Sequence, residues 1–153
     1  MNWHCKSFDE LSTAELYALL QLRSRVFVVE QNCPYLDQDD KDQDALHLWC
    51  SDGQARMLAC CRILPAGLSY PESSIGRVAS DSAARGQGIG RQLMQEALAC
   101  IRMRWNNVPV RISAQLYLQR FYESLGFLPV GESYLEDGIP HIEMLLQTKT
   151  EPG

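Results

Sequence analysis

The apolar positions along the chain change period several times, and each change marks an element. Asn2–Phe8 reads as a short strand. Leu16, Leu19, Leu20 and Phe27 then recur at helical spacing behind a Ser12/Glu15 capping box, which predicts a helix from about Thr13 to Val28. Ala45–Cys50 sets Leu46 and Leu48 against His47 and Trp49, and Asp52-Gly53 turns the chain into the apolar run Met57–Leu64, an antiparallel pair. Pro65, Gly67 and Pro71 interrupt the pattern before a brief strand, Ser74–Ser80. From Gly88 to about Met103 a helix is predicted by Leu93, Met94, Ala97, Leu98 and Ile101, with Arg102 and Arg104 at the end where the helix dipole favours cations. Val108, Val110 and Ile112 alternate as a strand, Leu118, Tyr122 and Leu125 line a second helix, and Gly126 is placed to cap it. Phe127–Tyr134 and His141–Leu146 close the chain as a hairpin about Asp137-Gly138.

Antiparallel hairpins thus flank a central strand–helix–strand–helix unit, which predicts a mixed α/β fold with a partly parallel sheet. A length of 153 residues with 46% apolar and 22% charged composition fits one domain spanning 1–153. The formal charge of -5 argues against a non-specific nucleic-acid binder, which needs a basic surface to displace phosphate counterions. No apolar stretch at the N-terminus is long enough for a signal peptide or membrane span, so the expected location is the cytoplasm. Six cysteines without a C-x-x-C pair favour reduced thiols over a metal site, and Cys50, Cys60, Cys61 and Cys100 read as small core residues. The acidic stretch Asp37–Asp44 reads as a loop, solvated or attracting a cationic amine to a site. It lacks the glycine a calcium loop needs, having Asp42 there.

Chemistry concentrates where the central unit delivers two helix N-termini to one sheet edge. The first helix is preceded by Arg85-Gly86-Gln87-Gly88-Ile89-Gly90, which offers unpaired N–H groups and a positive dipole end to an anion, with Arg85 and Arg91 adding charge. A Walker loop would need Gly-Lys-Ser/Thr, and a dinucleotide fingerprint would need glycine where Leu93 stands.

The run Arg77-Val78-Ala79-Ser80, followed after a short spacer by Arg85-x-x-Gly88-x-Gly90, resembles the acyl-CoA signature of the GNAT family. Phe121-Tyr122-Glu123-Ser124-Leu125-Gly126-Phe127 resembles the Y-x-x-x-G-F element of the same family. Arg25–Gln31, Cys33-Pro34-Tyr35 and Glu136–His141 look like its ElaA-type branch, whose members are bacterial and loosely defined in substrate. The resemblance implies the GNAT acyl-CoA N-acyltransferase fold. That is a mixed, mostly antiparallel seven-stranded sheet with flanking helices, splayed between a central parallel pair so that the pantetheine arm of acetyl-CoA enters the gap. It also implies that Val78 and Ala79 offer backbone groups to the pantetheine and acyl carbonyl, and that Gly86, Gln87, Gly88, Ile89, Gly90 and Arg91 cradle the pyrophosphate.

The reaction implied is direct attack of an amine on the thioester, giving a tetrahedral intermediate whose oxyanion needs a backbone N–H. Tyr122, about six residues and roughly 9 Å into its helix, would protonate the departing thiolate. Its ordinary alternative is a core aromatic beside Leu118 and Leu125. For the base, Glu30 and His141 stand ahead of His47 and Glu143, the alternatives being a helix-end charge for Glu30, a turn residue for His141 and exposed strand polars for the other two. Arg77 in place of a family glutamate, and Ala114-Gln115 where many members have asparagine, leave the base open. The function implied is acetyl transfer from acetyl-CoA to a primary amine of a small molecule or peptide, the alternative being a non-catalytic acyl-CoA sensor or protein-interaction module. A homodimer is the assembly considered, with neither nucleic acid nor membrane as partner.

Overall fold

Strands β1 (Asn2–Ser7), β2 (Leu46–Ser51), β3 (Met57–Leu64), β4 (Ser73–Ser80), β5 (Val110–Gln115), β6 (Leu128–Glu136) and β7 (Ile139–Leu146) form one sheet in a computed structural model that describes residues 1–147. Their order is β1-β2-β3-β4-β5-β7-β6. Every neighbouring pair is antiparallel except β4–β5, which is parallel and joined by the helix α2 (Ile89–Trp105). Those two strands pair only at Ser73↔Val110 and Ser74↔Arg111 before they diverge. The sheet is therefore split in its middle, as expected from the family resemblance.

Helix α2 lays Leu93, Met94, Ala97 and Ile101 on one face of the sheet against Leu48, Cys61, Ile63 and Val110. On the other face α1 (Thr13–Arg23) packs Leu19 and Leu22 on Trp49, Cys60 and Ala79. Because side chains alternate along a strand, adjacent residues such as Cys60 and Cys61 serve opposite cores. Cys50, Cys60 and Cys61 are buried as the sequence suggests, but Cys100 is only half-buried.

The start of α1 follows the capping box: Glu15 N–H donates to Ser12 Oγ at 3.1 Å and Ser12 N–H to Glu15 Oε1 at 2.8 Å. The helix does not run on to Val28 in α form. After Arg23 it widens into a π-helical segment, Ser24–Glu30, which aims Arg25 and Glu30 at the loop between β4 and α2.

The acidic stretch is a loop that is solvated only in part, with Gln38, Asp40, Gln43 and Asp44 exposed. Asp37 and Asp42 are buried and meet three arginines from different elements. Arg23 Nε donates to Asp37 Oδ2 at 2.8 Å, and Arg23 Nη1 to Asp42 Oδ1 at 2.9 Å. Arg62 donates from Nη1 to Asp42 Oδ1 at 3.0 Å and from Nη2 to Asp39 Oδ2 at 2.8 Å. Arg77 Nη2 donates to the Asp37 carbonyl at 3.0 Å. His47, expected as an exposed strand residue, is also buried, with Nε2 donating to the Asp42 carbonyl at 2.9 Å. Both faces of β2 are covered, and burial lowers the His47 pKa so that the ring stays neutral.

At the far edge, Asp137 (φ +51°) and Gly138 (φ +77°) make the tight hairpin turn joining β6 to β7. Among the described residues no helix is long and apolar enough to cross a membrane.

Candidate active site

The divergence of β4 and β5 opens a cleft of about 1020 Å³. Its walls are Ile75–Ser80 on one side and Ile112–Gln115 on the other, strand edges that lack the ladder partner each would otherwise have. A bulge deepens the opening. Ladder partners run Cys60↔Ala79 and Arg62↔Gly76, so Arg77 and Val78 together stand opposite Cys61. Arg77 takes the left-handed conformation there, φ +49°, rare for a residue with a long side chain. Its guanidinium reaches back to the acidic segment, Nε lying 2.8 Å from Asp37 Oδ1 though not aligned for a hydrogen bond, and Nη2 lying 3.4 Å from Asp39 Oδ2. The bulge and its tether to Asp37 were not readable from the sequence, where Arg77 stood out only as a departure from the family pattern.

At one mouth of the cleft α2 begins. Gly88 is its N-cap in left-handed conformation and carries no side-chain cap, so the first-turn N–H groups of Ile89, Gly90 and Arg91 are left without partners from the protein's own side chains. Gly86 and Gly88 have φ of +82° and +75°, and an added β-carbon at either would touch nothing within 4 Å. Conformation, not crowding, therefore requires glycine at these two positions. Gly90 has ordinary φ and lines the cleft, whereas Ile89 turns inward and is buried, anchoring the loop. Arg85 Nη2 donates to Glu30 Oε2 at 2.6 Å and to the Ser80 carbonyl at 2.8 Å, so two sequence-derived candidates pair with each other. Arg91 lies over the Phe121 ring and donates to Ser124 Oγ at 2.7 Å. Of the predicted cofactor residues, Val78, Ala79, Arg85 and Gly90 line the cleft, and Gly86, Gln87, Gly88, Ile89 and Arg91 form the adjoining loop and helix start.

Tyr122 lies deeper, near the end of the short helix α3 (Gln119–Glu123), which follows a 3-10 turn at Leu116–Leu118 rather than extending one long helix. The Gly-Phe behind it explains the motif physically. Gly126, at φ +100°, donates to the Glu123 carbonyl at 3.0 Å, and Phe127 N–H donates to the Tyr122 carbonyl at 3.2 Å, a Schellman cap that fixes Tyr122 itself. Phe127 and Phe121 then pack edge-on against its ring. The ring is buried, but it also lines the cleft. Burial pushes its phenol up to about 12, so it stays protonated at neutral pH.

The two base candidates differ in their surroundings. Glu30 is held by Arg85. His141 is neither exposed nor in a turn: it sits on β7, stacked on Tyr134 and lining the cleft. Its Nδ1 is 2.7 Å from the Ile139 carbonyl, an acceptor only, which places a proton on Nδ1. Glu136 Oε2 is 3.4 Å from the His141 Nε2. Ser113 is hydrogen-bonded to Tyr134 beside them, a small polar group that no sequence motif announced. The two remaining base candidates face elsewhere, Glu143 toward Arg111 at 3.8 Å and His47 into the ion cluster. A second cavity, about 350 Å³, lies between α1 and the β2–β3 turn and contains none of the candidate residues.

Comparison with known proteins identifies the same fold and family. A family model described as an acetyltransferase (GNAT) domain matches residues 42–148. Protein ElaA of Escherichia coli is 47% identical over 148 residues, covering 94% of this chain and 95% of that protein. A UPF0039 protein of the fission yeast Schizosaccharomyces pombe is 38% identical over 143 residues, covering 93% of this chain and 94% of that protein, so relatives extend beyond bacteria. The crystal structure of an acyl-CoA N-acyltransferase from Pseudomonas aeruginosa superposes with a TM-score of 0.90 at 48% identity, covering 95% of this chain and 98% of that one.

Proposed function

The chain belongs to the GNAT family of acetyltransferases, and on that premise we propose that it transfers an acetyl group from acetyl-CoA to a primary amine of a small molecule or peptide. The observation that carries this reading is the split between β4 and β5, because one cleft joins an uncapped helix start, an open strand edge and a protonated phenol. Acetyl-CoA supplies the activated acyl group and a thiol leaving group. The loop amides from Gly86 to Gly88 and the first-turn amides of Ile89, Gly90 and Arg91 hold its diphosphate, with the helix dipole adding to their attraction. Arg85 exchanges Glu30 for the anion, which makes Glu30 a placeholder at the mouth more than a base. Val78 and Ala79, beside the bulge, present backbone groups to the pantetheine and the acyl carbonyl.

His141 takes the proton of the attacking amine on Nε2, and Glu136 steadies the imidazolium that results. Tyr122 donates its proton to the departing sulfur. In water a thiol near ~8.5 could not draw a proton from a phenol held near 12. Inside the cleft, however, the desolvation that strengthens the phenol's hold on its proton makes a thiolate more basic as well.

The test uses purified protein, isothermal calorimetry with acetyl-CoA, and a screen of amines and peptides for CoA release. Gly88→Glu should abolish binding, through strain at positive φ and through charge beside the diphosphate. Tyr122→Phe should bind normally and lose CoA release about 10²-fold or more. Binding without release for any acceptor would make the protein an acyl-CoA sensor. Absence of binding to any CoA thioester would remove the whole reading.

A further inference from the structure

Cys5 on β1 and Cys100 on α2 bring their sulfurs to 2.6 Å across a sequence separation of 95 residues. A bond between them needs a movement of only about half an ångström, and the backbone already holds both in place. Cys5 is fixed by six rungs of pairing between β1 and β2, and Cys100 by the packing of α2 on the main core. Both are half-buried, open enough for a small oxidant, whereas Cys50, Cys60 and Cys61 are enclosed and Cys33 lies at the cleft. The two thiols are also unlike. The hydrogen bond between the two sulfurs and the charge of Arg104 lower the Cys100 pKa against the effect of burial, while the same hydrogen bond and burial raise that of Cys5. Arg104, whose charge and hydrogen bond both act on Cys100, favours Cys100 as the attacking sulfur.

We propose that Cys5 and Cys100 form a peroxide-reactive dithiol that closes reversibly to a disulfide, stapling the N-terminal strand to α2. The Cys100 thiolate attacks the O–O bond of a hydroperoxide, gaining OH as a sulfenic acid while the other oxygen leaves as alkoxide and takes a proton from solvent. Cys5 sulfur then attacks the Cys100 sulfur, its proton leaving with the hydroxyl as water. In net terms two thiols and one hydroperoxide give one disulfide, one alcohol and one water. Each sulfur gives up one electron, and the peroxide bond accepts both. This inference stands apart from the acetyl-transfer reading, since it uses no residue of the cleft.

The full chain, reduced and freed of reductant, is treated with equimolar hydrogen peroxide and mapped by non-reducing peptide mass spectrometry. The expected product is a Cys5–Cys100 cross-linked peptide lighter by two hydrogens, reversed by dithiothreitol and retained in Cys33→Ser. Because the bond closes a long loop, thermal unfolding should shift upward by about 5–10 °C. Cys5→Ser should leave Cys100 as a sulfenic acid that reacts with dimedone, and Cys100→Ser should remove that reactivity. Oxidation of Cys100 to sulfinic acid without cross-link in the unmodified chain, or cross-links that involve Cys33 instead, would overturn the proposal.

Discussion

Replacing Asp37 by alanine tests the buried ion cluster and its connection to the cleft together. Asp37 is 3% exposed and contacts Arg23, itself 2% exposed, through Oδ2 at 2.8 Å, while Oδ1 faces Arg77 Nε at 2.8 Å and accepts from the Tyr35 hydroxyl at 3.1 Å. Taking away the carboxylate leaves Arg23 with Asp42 as its remaining acidic partner, and leaves Arg77 with the backbone carbonyl of residue 37 and a long contact to Asp39. Breaking a buried pair from one side costs about 3–5 kcal/mol, because the stranded cation keeps its desolvation penalty. That is a large share of a stability on the order of 5–15 kcal/mol. With a urea m-value of about 2 kcal/mol/M, the midpoint should fall by about 1.5–2.5 M. The control is Glu15→Gln, which removes the charge of the half-buried Lys6–Glu15 pair near the surface and keeps a residue able to complete the capping box, so that a change on the order of 1 kcal/mol or less is expected. Equal midpoint shifts for Asp37→Ala and Glu15→Gln would refute the claim that burial makes the cluster structural.

Arg77 itself separates conformation from tether. Arg77→Gly tolerates the positive φ and should keep acetyl-CoA affinity within about threefold, whereas Arg77→Val, strained there, should straighten β4 and weaken binding about tenfold by calorimetry. The acid limb of stability should report Asp39. Burial pushes its pKa up, but the hydrogen bonds and charge of Arg62 outweigh that and bring it down to about 2 from 3.8. A carboxyl depressed in the folded state contributes stability that is present above its unfolded pKa and lost as pH falls through the folded one. Urea titrations should therefore steepen between pH about 4 and 2, and Asp39→Asn should flatten that limb by up to about 1.4 kcal/mol per pH unit.

Much of this protein was legible from local rules. The Ser12/Glu15 box, the hairpin turn at Asp137-Gly138 and α2 formed where their patterns lie, because capping, positive φ and helical spacing act over a few residues. The β2–β3 turn is instead a longer loop, Asp52–Arg56, whose left-handed residue is Ala55 and not Gly53. The family motifs pointed to the loop at Gly86–Gly90 and to Tyr122, and both lie at one cleft. The motif alone did not reveal why Gly-Phe follows Tyr122, namely that the pair caps its helix and clamps its ring.

What the chain by itself determined was the kind and order of elements, and the location of an anion-ready helix start, since these follow from contacts between near neighbours. Only the tertiary structure decided that Asp37 and Asp42 are buried, that His47 is enclosed, that Arg77 sits in a bulge, and that Cys5 meets Cys100. The partners in these pairs stand 5 to 95 residues apart, mostly on different elements. A charge or thiol announces in sequence that it needs a partner. Which partner it meets depends on strand register and on how far β4 and β5 diverge, and these are set by the packing of the whole sheet.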